Sequence, residues 1–218
     1  PDIVFLADRD GDGMVDFRET LFTGFRVRTL ERGINNPRWG FDNWIYVGGG
    51  GEGGRITGPH LKDAVDLGGT DFRIKADGSA IEPVTGRVGT FGMTLNQVGD
   101  RFPSSGGTPA IYALPIPYRY LQRNPFVASP GMNYQASDYN RGFRISDPHP
   151  WRVKRQQDPA WIKFYGSRET NSNYFSGGCS TEFYGGGRFP SGYVGNLFYC
   201  EPSLNIIHRT VLSRDRNG

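Results

Sequence analysis

Near the amino end stands Asp8-Arg9-Asp10-Gly11-Asp12-Gly13-Met14-Val15-Asp16-Phe17-Arg18-Glu19, a stretch that crowds five carboxylates into twelve residues. Charges of one sign so close together repel, and a hard divalent cation taking roughly six to eight oxygen ligands removes that repulsion. The spacing is that of a calcium loop of the EF-hand kind. Asp8, Asp10 and Asp12 take the first, third and fifth positions, Gly13 permits the sharp turn, and Met14 offers its backbone carbonyl. Val15 is the apolar residue expected to pin the loop inward, and Asp16 and Glu19 complete the ligand set. The alternative is a solvated acidic turn. The flanks constrain the fold more than the loop does, because a paired EF-hand needs an amphipathic helix on each side. Here Pro1–Leu6 is a short apolar run of strand type, and the run Glu19–Phe25 is interrupted by Gly24. The expectation is a calcium loop carried on a β framework, with a structural role.

The rest of the chain supports that framework. Gly (32) and Pro (15) make up more than a fifth of the 218 residues, which calls for many turns, and the plentiful aromatics favour short strands over a helical bundle. The whole is expected to be one all-β domain, residues 1–218, with a coil-rich insert at about 129–176. A formal charge of +3, without a basic run interleaved with aromatics, gives no support for a nucleic-acid partner. No apolar stretch of membrane-spanning length occurs, and the chain begins at Pro1 rather than Met, as a mature or truncated piece would.

Hairpin signals recur along the chain. Asp42-Asn43 separates Arg38–Phe41 from Trp44–Val47, Asp77-Gly78 separates Phe72–Ala76 from Ser79–Val84, and Gly99-Asp100 divides Phe91–Val98 from the return at Arg101-Phe102. A last strand pair, Tyr193–Cys200 and Asn205–Leu212, is joined through Glu201-Pro202-Ser203. The spacing of these units is that of propeller blades with long insertions, so the architecture expected is an arc of about four blades cut from a six-bladed β-propeller. A two-sheet sandwich is the rival. Gly48–Gly54 looks like a nucleotide loop, yet no Lys-Ser or Lys-Thr follows, and it reads as an ordinary connection. Cys179 and Cys200 are too few for a zinc cage. If they lie on neighbouring strands, a disulfide closing about twenty residues would contribute roughly 3 kcal/mol; two buried free thiols are the alternative.

The order of these segments resembles the propeller domain of the PVC-type membrane-bound dehydrogenases. The resemblance runs from the acidic loop and Thr23-Gly24-Phe25 through Trp39-Gly40, Asp42-Asn43-Trp44 and Phe72-Arg73-Ile74. It continues through Gln122-Arg123-Asn124-Pro125 to Gly195-Asn196-Leu197-Phe198 and Cys200-Glu201-Pro202. That family is related to the soluble quinoprotein sugar dehydrogenases, which hold pyrroloquinoline quinone. The resemblance implies a periplasmic or secreted sugar or alcohol dehydrogenase passing hydride to a quinone, with Arg123 and Asn124 at the cofactor and a cytochrome c-type electron acceptor. A guanidinium fork suits a quinone bearing carboxylates, and an Asn bonds a carbonyl without adding charge. The chain departs from the family in having no histidine just before Trp39-Gly40 and no C-x-x-C-H segment. Of His60, His149 and His208, only His208 falls on a strand that could face a channel, so the general base stays unassigned. The competing class is a noncatalytic carbohydrate- or protein-binding module, with the tyrosines of Tyr112–Tyr120, Trp151 and Trp161 as its recognition face.

Overall fold

The computed structural model describes residues 1–28, 33–84, 86, 91–106, 110–114, 120, 123, 134–136, 142–165, 175 and 177–213. The chain gathers into two compact units, one made of Pro1–Thr90 with Ile116–Met132, the other of Phe91–Pro115 with Asn133–Gly218.

The first unit holds eight described strands: β1 (Ile3–Ala7), β2 (Phe17–Phe25), β3 (Asn35–Trp39), β4 (Ile45–Gly48), β5 (Gly54–Thr57), β6 (Val65–Asp66), β7 (Phe72–Ile74) and β8 (Ile81–Pro83). They form two antiparallel sheets, ordered β1-β2-β5-β6 and β3-β4-β7-β8. Successive hairpins are thus dealt alternately to the two sheets. The reason lies in burial, since one apolar cluster takes Leu21, Phe22 and Phe25 from β2 and Ile56 from β5, together with Val47, Phe72, Ile74 and Ile81 from the other sheet. Phe25 stacks on Phe72 with ring centroids 5.2 Å apart. Alternation along β5 and β7 puts every second residue into this core.

The expected turns sit where the sequence marks them. Asn43 (φ 59°) lies between β3 and β4, and Gly78 (φ 76°) between β7 and β8. Both are left-handed, the conformation Asn and Gly tolerate best. The Gly48–Gly54 stretch turns out to be a close crossing of backbones. A β-carbon on Gly49 would collide with the carbonyl of Thr70, and one on Gly53 with that of Leu67. Gly49 and Gly53 are glycines because these backbone segments of the chain approach so closely.

The second unit contains β9 (Met93–Leu95), β10 (Arg101–Pro103), β11 (Tyr112–Ala113), β12 (Tyr134–Gln135), β13 (Thr181–Phe183), β14 (Leu197–Glu201) and β15 (Ile206–Thr210). β9 and β10 form a hairpin about Gly99 (φ 86°), and β13-β14-β15 is a meander in chain order. Its core comprises Phe102, Ala110, Ile111, Phe175, Leu197, Tyr199 and Leu204. Thr181 donates its hydroxyl to the carbonyl of Phe102 at 3.0 Å, and the amide of Phe183 donates to Thr94 Oγ1 at 3.1 Å, so β13 is tied to the β9–β10 hairpin. The all-β class holds for the sheets, but the segment expected to be coil carries two short helices, Pro150–Gln156 and Pro159–Tyr165. Each begins on a proline, where the missing N–H costs nothing, and Asp158 Oδ1 caps the second by accepting from the Ala160 amide at 2.9 Å. Among the described residues no helix is long and apolar enough to cross a membrane.

Candidate metal centre

The acidic loop bridges β1 and β2. The ladder between these strands runs from Ala7 opposite Phe17 outwards, and the Asp16 amide closes the loop on the Ala7 carbonyl at 3.1 Å. Inside it, side-chain carboxylates accept from backbone amides in a fixed progression. Asp8 accepts from Gly11 at 2.7 Å and Gly13 at 2.8 Å, Asp10 from Asp12 at 3.2 Å, and Asp12 from Met14 at 2.7 Å. The N–H groups of Gly13 and then Gly11 hold the Asp8 carboxyl below its ordinary value, because they bond the charged form. Gly13 has φ 87°, and a β-carbon there would meet nothing, so the demand for glycine is purely conformational.

Carboxylate oxygens of Asp8, Asp10 and Asp12 lie within 4.8 Å of one another. Oxygens on opposite sides of one calcium ion stand about 4.6–5.2 Å apart, since each is about 2.3–2.6 Å from the ion, so these three fit a single cation. All three side chains are exposed. The other members of the expected ligand set are placed differently. Asp16 Oδ1 accepts from the Arg9 amide at 3.0 Å. Glu19 falls inside β2, opposite Phe5, and its Oε1 is 2.8 Å from His60 Nε2. The ladder has drawn the twelfth position out of the loop, because a strand begins at Phe17 where an EF-hand would start its second helix. Val15, expected to pin the loop inward, is 59% exposed, and Met14 is also at the surface. Without a second helix pair there is no apolar surface to receive Val15.

A second carboxylate cluster in the same unit escapes the sequence motifs. Arg73 on β7 donates from Nε to Glu82 Oε1 at 2.6 Å and from Nη1 to Asp42 Oδ2 at 2.7 Å, while Tyr46 Oη donates to the same Asp42 oxygen at 2.9 Å. Its guanidinium lies 4.4 Å from the Trp44 ring, and its side chain is only 13% exposed. Burial holds the Tyr46 hydroxyl above its ordinary value, against the opposing hydrogen bond from Arg73. In the second unit, Glu201 is fully buried and accepts from the amides of Gly177 (3.1 Å) and Ser203 (2.9 Å) and from the Ser203 hydroxyl. Each hub also joins partners far apart in the chain, Arg73 with Asp42 and Glu201 with Gly177; only the Arg73 opposite Glu82 register of a correctly aligned hairpin could have exposed the first.

The residues expected at a quinone are not gathered into a described site. Arg123 is exposed and rests over Tyr120 at 4.8 Å, and Asn124 lies outside the described residues. Most of the Tyr112–Tyr120 stretch, from 115 to 119, also lies outside them. Trp151 and Trp161 both pack on the guanidinium of Arg155, at 4.3 and 3.7 Å. His208 on β15 is half-buried, edge-on to Phe175 at 5.3 Å, and burial pushes its pKa down.

No curated protein and no solved structure matches this sequence. A family described as a domain of unknown function, DUF7133, matches residues 1–218, the full length of the chain, and the chain belongs to that family.

Proposed function

We propose that this domain is a calcium-binding β module in which the ion is held by Asp8, Asp10 and Asp12 and fixes the loop between β1 and β2. The observation that carries the reading is the convergence of three carboxylate oxygens within 4.8 Å on a loop whose amide bonds already set their orientation. Full exposure, and the diversion of Glu19 to His60, make this a weak site, of the 10⁻⁴–10⁻³ M class that loads where calcium is abundant. That affinity suits a periplasmic or secreted protein. Isothermal titration of the full chain with calcium tests it. A single site in that range that is lost in Asp12→Ala supports the reading; no heat, or heat unchanged in Asp12→Ala, refutes it.

Quinone-dependent oxidation of a sugar or alcohol is the extension that the resemblance supports, with Arg123 and Asn124 as the candidate cofactor residues. The β13-β14-β15 meander has the strand order of part of a propeller blade, whereas the alternating hairpins of the first unit do not. Reconstitution with pyrroloquinoline quinone and calcium, followed by dye reduction with sugars and alcohols, tests this extension; an absent quinone spectrum leaves a noncatalytic calcium module.

A further inference from the structure

Cys179 and Cys200 are both exposed. The register of β13 on β14 pairs Thr181 with Tyr199 and Glu182 with Phe198, so its continuation would set Ser180 opposite Cys200 and turn Cys179 inward. Instead the Cys179 amide donates to the Cys200 carbonyl at 2.9 Å. Cys179 thus takes the carbonyl that a continued ladder would give to Ser180, as the first residue of a β-bulge does, and like Cys200 on β14 it is exposed. Backbones joined by such a bond have Cα atoms about 5–6 Å apart, inside the range that a disulfide spans.

We propose that Cys179 and Cys200 are a cross-strand redox pair, closing to a disulfide that staples the bulge ahead of β13 to the end of β14. The oxidant is a low-molecular-weight disulfide such as oxidised glutathione. One cysteine thiolate attacks a sulfur of that disulfide, forming a mixed disulfide and expelling one thiolate. The second cysteine, deprotonated, attacks the protein-side sulfur of the mixed disulfide and expels the other. Two electrons pass to the oxidant, which leaves as two thiols carrying the two protons. Partial desolvation of this otherwise exposed side chain, together with the neighbouring Cys200 and Glu201, raises the Cys179 thiol above its ordinary value, so closure is slow at neutral pH and quickens as the pH rises. The staple holds Gly177 where its amide meets Glu201, so the bond guards the buried hub of the second unit.

The test uses the full chain, reduced, desalted and equilibrated in glutathione buffers of graded poise, then acid-quenched, alkylated with iodoacetamide and weighed. The expected result in the oxidising buffers is a monomer that takes up no alkyl group and yields a proteolytic peptide joining Cys179 to Cys200. Its Tm should exceed that of the reduced chain by about 5–10 °C. Cys200→Ser should stop at a single glutathione adduct and lose the Tm difference. Two glutathione adducts on the native chain, disulfide-linked dimers, or two alkylatable thiols at every poise would each overturn the proposal.

Discussion

Two carboxylate clusters of the first unit meet their charge in opposite ways. Around Arg73, Asp42 from the β3–β4 turn and Glu82 from β8 surround a nearly buried guanidinium that the chain itself supplies. In the β1–β2 loop, Asp8, Asp10 and Asp12 come from one short segment, stand in water, and accept from backbone amides. On the reading proposed above, the difference separates a structural acidic cluster from a binding one. A carboxylate group that the fold needs brings its own cation and is sunk with it; one that awaits a cation is held open by N–H groups that orient the oxygens without neutralising them.

The largest effect should come from breaking the self-sufficient cluster. Arg73→Met leaves two partly buried carboxylates without their cation and should lower stability by about 3 kcal/mol in urea unfolding, whatever the calcium concentration. A loss that calcium restores would erase the distinction drawn here. Next comes the loop. Calcium at about a hundredfold over its dissociation constant should raise Tm by about 5 °C or more in the native chain and leave Asp12→Ala unmoved, as scanning calorimetry would show.

Protonation sharpens the contrast further. Asp8 has a folded pKa below the unfolded 3.8, so its amide bonds stabilise the loop fully above 3.8, and that contribution disappears as pH falls through the lower folded value. Carboxyl chemical shifts should give Asp8 a midpoint under 3.8; a midpoint above it would mean the N–H cradle does not form in solution. His208, in the other unit, is a base whose folded pKa lies below the unfolded 6.5, so its burial costs stability once pH drops beneath 6.5. Urea midpoints should fall between pH 7 and 5, less so in His208→Gln; an identical slope in both would remove the histidine from the account. The smallest effect belongs to Arg55 and Asp66, paired at 3.3 Å with both side chains mostly exposed. Arg55→Ala should change stability by less than about 0.5 kcal/mol, and a larger loss would show that exposure does not decide which pairs matter.

How far the sequence revealed all this follows the same division. The acidic loop was legible because its converging carboxylates lie within a few positions of one another, and turn chemistry is equally local. Asp42-Asn43, Asp77-Gly78 and Gly99-Asp100 all turn where their residue types demand. Strand pairing was less so. Nothing in the residues 17–25 shows that β2 continues to β5 across an intervening hairpin, since that choice is made by which apolar faces share a core. The fate of Glu19 illustrates the cost of reading by motif alone. Its spacing is right for a ligand, but it lies on a ladder beside Phe5 and meets His60, a residue 41 positions away. The Arg73 and Glu201 hubs join partners from separate strands and loops, so no spacing rule announces them.

The most direct test of the central claim is the amide spectrum of the ¹⁵N-labelled chain during calcium addition. Gly11, Gly13 and Met14, whose N–H groups donate to Asp8 and Asp12, should shift first and saturate together with one dissociation constant, while the amides around Arg73 stay still. Loop amides that do not move at millimolar calcium, or that move no more than those flanking Arg73, would contradict a cation site at Asp8, Asp10 and Asp12.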